Sequence, residues 1–127
     1  MPMQHERLVV WQRADDLFIR IHTMTRKYFP PDEHFELQSQ IRRAAYSIVA
    51  NIVEGVAREH RAERLQFFNI AWGSLAETGY CLHAAKRLGY IDEEAYQSFD
   101  MEVRRVGAPL KGLIRTTRGK EQRAQRD

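Results

Sequence analysis

A chain of 127 residues, 43% hydrophobic and 29% charged, has the size of one domain and the apolar content for one core, which excludes a disordered composition. Its longest stretches without a charge, 44–53 and 65–76, fall short of the ~18 apolar residues of a membrane span, so no membrane crossing is expected. The formal charge of +3 is uneven: residues 1–41 carry 5 positive and 6 negative groups, 42–110 carry 9 of each, and 111–127 carry 6 and 2.

The opening residues contain no apolar signal-peptide core, so export is not expected. From there Val10, Trp11, Ala14, Leu17, Phe18, Ile21, Met24 and Tyr28 recur at three- and four-residue steps, the pattern of one helix face. Arg13, Asp16, Arg20 and Lys27 fall on the other face, and Pro30 and Pro31 end the segment. A second helix is predicted over about 37–56 from Ile41, Ala44, Ala45, Ile48, Ile52 and Val56, with Val49 and Val53 widening the stripe.

A third helix is predicted over about 62–88, with Leu65, Phe68, Ala71, Trp72, Leu75, Leu82 and Ala85 inward and Gly89 as a left-handed C-cap. Both tryptophans fall on these stripes and are expected in the core. Asp92 is a good N-cap for a fourth helix, with Glu93 and Glu94 in its first turn and a stripe of Tyr96, Phe99, Val103, Val106, Leu110, Leu113 and Ile114. Pro109 interrupts that pattern and predicts a kink near 107–109.

No strand-like alternation occurs, and four amphipathic helices on short links must bury their stripes against each other. The fold class is therefore all-α, an antiparallel up-down-up-down four-helix bundle forming a single domain over 1–117. Beyond Arg118 the apolar period stops, so 118–127 reads as a basic, disordered tail.

Polar residues beside two stripes stand out. Ser47, Asn51 and Glu54 share a face of the second helix, and Ser74 and Glu77 share one of the third. If these helices are antiparallel neighbours, the five residues form a structural polar network at a close contact permitted by Ala44, Ala50, Gly73 and Ser74. A carboxylate pair of Glu54 and Glu77 for acid–base or metal chemistry is the other reading. A di-iron bundle needs a histidine three residues after such a glutamate, whereas 57 is Ala and 80 is Tyr.

The histidines, at 5, 22, 34, 60 and 83, show no helical metal spacing. The single cysteine, Cys81, allows no internal disulfide and no Cys-x-x-Cys site, which suits a reducing cytoplasm. No phosphate loop, nucleophile elbow or dinucleotide fingerprint is present. Neither an enzyme, nor a metal, nor a cofactor is expected.

Val10-Trp11-Gln12-Arg13-Ala14, the run from Gln40-Ile41-Arg42-Arg43-Ala44-Ala45 through Ser47-Ile48-Val49-Ala50-Asn51-Ile52-Val53-Glu54-Gly55, Ala71-Trp72-Gly73-Ser74-Leu75-Ala76-Glu77 and Leu88-Gly89-Tyr90-Ile91 together carry a resemblance. The chain resembles the 23S ribosomal RNA intervening sequence proteins over most of 8–115. Val49 stands where that family often has proline, and Leu37-Gln38-Ser39 replaces a more usual Leu-Thr-Ser. The resemblance implies the bundle and a tendency to form homo-pentamers. The chain is also similar to accessory proteins of diversity-generating retroelements, bundles that assist a reverse transcriptase and bind nucleic acid through basic surfaces.

Two functions follow as expectations. In the first, a cytoplasmic homo-oligomer binds RNA, DNA or a ribonucleoprotein through Arg42, Arg43, Arg58, Arg61, Arg64, Arg115 and Arg118, because guanidinium groups pair with phosphate and a ring multiplies a modest patch. The same charges also read as a solvated face and a solubilising tail, with Arg42 and Arg43 engaged by acids of a neighbouring copy. In the second, the protein is an oligomeric scaffold for a protein partner, using the wide stripe of helix two and exposed apolar residues such as Phe67.

Overall fold

The computed structural model describes residues 3–33 and 36–126. Four helices carry the fold: α1 (Val9–Tyr28), α2 (Leu37–Ala57), α3 (Arg61–Arg87) and α4 (Glu93–Arg126), with short 3-10 turns at Gln4–Arg7 and Pro31–Glu33. No strand occurs among the described residues. Each helix packs on its neighbours in chain order and α1 closes on α4, giving the expected up-down-up-down bundle. The contact between α2 and α3 is the most extensive.

The predicted stripes form the core. Ala14, Leu17 and Ile21 of α1 meet Ile41, Ile48 and Ile52 of α2, Phe68, Leu75 and Leu82 of α3, and Phe99, Val106 and Leu110 of α4 in one buried cluster. Val10 and Met24 extend it at the ends of α1, while Tyr28 lies outside it on the surface.

Turn chemistry fixes the link between α3 and α4. Gly89 adopts φ +79°, its N–H donates to the Lys86 carbonyl at 3.0 Å, and the Tyr90 N–H donates to the Ala85 carbonyl at 2.9 Å. These are the two bonds of a Schellman ending, and the positive φ is why glycine stands there. Three residues on, Asp92 Oδ1 accepts the Ala95 N–H at 2.7 Å, capping α4 as expected.

Pro109 does not interrupt α4, which runs through it. A proline at 109 lacks the N–H that would bond the carbonyl four residues back, at Arg105. Arg13 of α1 supplies the missing donor: its Nη1 donates to the Arg105 carbonyl at 2.9 Å. The proline's cost is thereby reduced, and the freed carbonyl becomes a tie between the first and last helices. Arg20, two turns along α1, makes a second tie through an ion pair with Glu102.

The helical backbone of α4 continues past Arg118, where the apolar period stops, to Arg126. An apolar period marks a packed face, and a helix can run on without one. Lys120, Glu121, Gln122, Arg123 and Ala124 are all good helix formers, and extending an existing helix avoids the nucleation cost. Asp127 lies outside the described residues.

The tie at Pro109 is testable by a double-mutant cycle in chemical denaturation. Arg13→Ala should cost about 1 kcal/mol more in the natural background than in Pro109→Ala, where the backbone N–H restored at position 109 takes over the Arg105 carbonyl. Equal costs in both backgrounds would contradict the assignment.

Candidate functional site

Between α2 and α3 the structure brings together three of the five residues expected in a polar network. The Ser74 hydroxyl donates to Ser47 Oγ at 2.7 Å, and Asn51 Nδ2 donates to the Ser47 carbonyl at 2.8 Å and to Ser47 Oγ at 3.0 Å. Thr78, which the sequence did not single out, continues the row by donating to the Ser74 carbonyl at 2.8 Å. Glu54 and Glu77 do not join. Both are exposed, and Glu54 pairs with Arg58 at 2.7 Å. At 100° per residue Glu54 lies about 130° from the centre of α2's buried arc, where its charge keeps its hydration. The seam is therefore a neutral packing device and not a carboxylate pair.

Cys81 is buried beneath this region; burial, then the nearby Glu77 carboxylate, push its thiol up to about 11. A thiol held neutral in that way has no nucleophilic character near pH 7. Among the described residues no three His, Cys, Asp or Glu side chains are grouped to hold a metal ion, and no described helix is long and apolar enough to cross a membrane.

The basic candidates separate into two ends of the bundle. Arg42 lies at the α1–α2 end, half-buried, with Nε donating to Thr25 Oγ1 at 2.8 Å and Nη2 to the His22 carbonyl at 3.4 Å. The Gln38 amide, oriented with its oxygen toward the guanidinium, accepts from both Nη atoms at 3.0 Å. Its donors are spent on tying α1 to α2. Burial and Arg26 hold the Arg42 pKa below its usual value, and burial, Arg42 and Arg26 in that order lower that of His22. Arg43 is exposed on the next position of α2. Sixteen residues of helix, roughly 24 Å, separate Arg42 from Arg58, so one short ligand segment does not join them.

The other basic candidates converge at the far end. Arg58 spans Glu54 and the face of Phe67, its guanidinium carbon 4.9 Å from the ring centroid. Phe67 is thus half-covered instead of being the open apolar contact expected. Arg64 donates from Nε to the Arg58 carbonyl. Arg61 and Arg64 line a cleft with Leu8, Phe68, Leu113 and Thr117. On the other flank of the same stretch of α4, Lys111, Arg115 and Arg118 line a second cleft of about 410 Å³ with Asn69, Trp72, Ile114 and Gly119.

Among the described residues, neither of these two clefts has a carboxylate in its lining. A third cleft, about 570 Å³ between α1 and α4, sets Asp92 and Glu94 beside Arg20 and Lys27 and has no such bias. Trp72 was expected in the core and is instead 40% exposed. At 100° per residue it lies about 110° from the centre of α3's buried arc of Phe68, Ala71, Ser74, Leu75, Thr78, Cys81, Leu82 and Ala85. Lys111 and Trp72 are the cleft residues that reading the arginines alone missed; the step of four and then three from Lys111 to Arg115 to Arg118 was the available signal.

The chain belongs to the 23S rRNA-intervening sequence protein family, whose family model matches residues 6–112. It is similar over 84% of its length to a solved structure, described as a protein with unknown function from the S23 ribosomal protein family from Bacteroides thetaiotaomicron VPI-5482, with 29% identity, a TM-score of 0.77 and 98% of that chain covered. No curated protein matches.

Because Arg42 serves the packing of α1 on α2, Arg42→Ala should lower the unfolding free energy by about 1–3 kcal/mol, the range for leaving the buried Gln38 acceptor unpaired. Equilibrium denaturation checks this. A stability equal to that of the natural chain would return Arg42 to the free surface.

Proposed function

We propose that the chain is a non-enzymatic, cytoplasmic homo-oligomer that binds nucleic acid, RNA or DNA, alone or within a ribonucleoprotein. The observation that carries this reading is the cleft of Lys111, Arg115 and Arg118, whose lining holds three cations and, among the described residues, no carboxylate. Phosphate binding needs this bias, since each neutralised phosphate releases counterions and an acidic neighbour would oppose it. Arg61 and Arg64 in the adjoining cleft extend the same sign of charge across the end of the bundle. Membership of the 23S rRNA-intervening sequence family, which the chain's sequence resembles over most of 8–115, supports the same direction.

Self-association, as a pentamer by that resemblance, is supported by large apolar side chains on the surface of the monomer. Tyr46, Ile70, Tyr80 and Met101 on α2, α3 and α4 are all exposed, more apolar surface than hydration alone favours. A ring would present one basic end per subunit and multiply a weak patch. The same side chains support the alternative, a protein-directed scaffold without nucleic-acid binding.

Fluorescence anisotropy with labelled RNA and DNA over a salt series tests the reading. Log affinity should fall linearly with log salt, and replacing Lys111, Arg115 and Arg118 together by alanine should flatten the slope by about 2, at ~0.7 per single-strand phosphate contact. Absence of binding at low salt, or a slope untouched by the triple replacement, would reject nucleic-acid binding and leave the scaffold.

A further inference from the structure

Trp72 is an anomaly on a helix with a buried arc available: it is 40% exposed beside three cations. Its ring is supported from below, since a Cβ built on the buried Gly107 of α4 would lie 3.8 Å from Trp72 Cζ3 and 3.4 Å from Leu75 Cδ2. The indole therefore stands at about van der Waals distance from the α4 backbone at Gly107. One turn before Trp72, Asn69 contributes an amide with both donors and an acceptor to the same cleft. Along α4, Lys111, Arg115 and Arg118 form a row about 10 Å long at helical rise.

From this juxtaposition we infer that the α3–α4 cleft takes single-stranded nucleic acid, with one base against the Trp72 ring and the flanking phosphates on Lys111, Arg115 and Arg118. The inference rests on the nucleic-acid reading above and narrows it to a strand type. An aromatic platform beside a tracking row of cations is the arrangement that holds unpaired strands, because every base has a π-face and only an unpaired base can turn it outward. In a duplex those faces are covered by the adjacent pairs, and Trp72 would meet only the backbone. A purine is close in size to the indole itself, and 410 Å³ accommodates it. Asn69 is placed to hydrogen-bond the edge of the stacked base, giving preference without strict sequence reading.

The test uses the emission of Trp72. Trp11→Phe leaves Trp72 as the sole indole, and it forfeits no hydrogen bond, because Trp11 Nε1 is buried with no partner among the described residues. Titration of this chain with a single-stranded oligonucleotide should quench the emission, whereas the matching duplex should leave it nearly unchanged. Trp72→Ala should weaken single-strand binding about 5- to 150-fold, the range for losing one stacked base, with Trp72→Phe retaining most of the affinity. Single-strand binding with unchanged emission and an undiminished Trp72→Ala affinity would overturn the stacking inference while leaving nucleic-acid binding intact. If neither strand form binds at low salt, the inference falls together with the reading it rests on.

Discussion

The close approach of α2 to α3 is the constraint from which the rest of the arrangement follows. At Gly55 the two helices come so near that a Cβ would overlap the ring of Phe68, itself 2% exposed and fixed in the core. About two turns back along α2, the hydroxyl pair of Ser47 and Ser74 keeps the seam narrow with small, mutually satisfied polar groups. With α3 held in that rotation, Phe68, Ala71, Leu75 and Leu82 face the core and Trp72 is carried to the α4 side. The same rotation that satisfies the packing thus delivers an aromatic ring to the one long basic stretch of the chain.

α4 does two jobs with two parts of its length. Up to about Thr117, the last buried residue among those described, it closes the bundle and is tied to α1 by Arg13 at the carbonyl that Pro109 frees and by Arg20 at Glu102. Lys111, Arg115 and Arg118 share this length with Leu110, Ile114 and Thr117 but point away from the core. Anchoring and charge display overlap on one helix, so the cations stand on a rigid element. Held on a packed helix, they lose less side-chain freedom on meeting a ligand than the same charges on a loose tail.

How much of this was legible in the sequence depends on the kind of signal. Periodicity exposes burial, so the four stripes and the bundle could be read directly, and the local chemistry of Gly89 and Asp92 marked the turn between α3 and α4. Periodicity is coarse in angle, however. Trp72, whose spacing put it on an apolar stripe, and Glu54, whose spacing put it beside one, both sit more than about 100° from the centres of their helices' buried arcs, a difference the three- and four-residue steps do not resolve. Arg42 looked like free charge because the partners that occupy it, Thr25, Gln38 and the His22 carbonyl, are neutral groups spread over two helices. The apolar stripe ends before Arg118, whereas the helical backbone of α4 runs on to Arg126.

Equilibrium denaturation of Gly55→Ala probes the seam most directly. Helix propensity alone favours alanine over glycine by about 1 kcal/mol within a helix, so an open seam predicts a more stable protein. The overlap with Phe68 predicts the opposite sign, a net loss of about 1–3 kcal/mol. Stability equal to or above that of the natural chain would contradict the close approach on which the placement of Trp72 and the basic cleft depends.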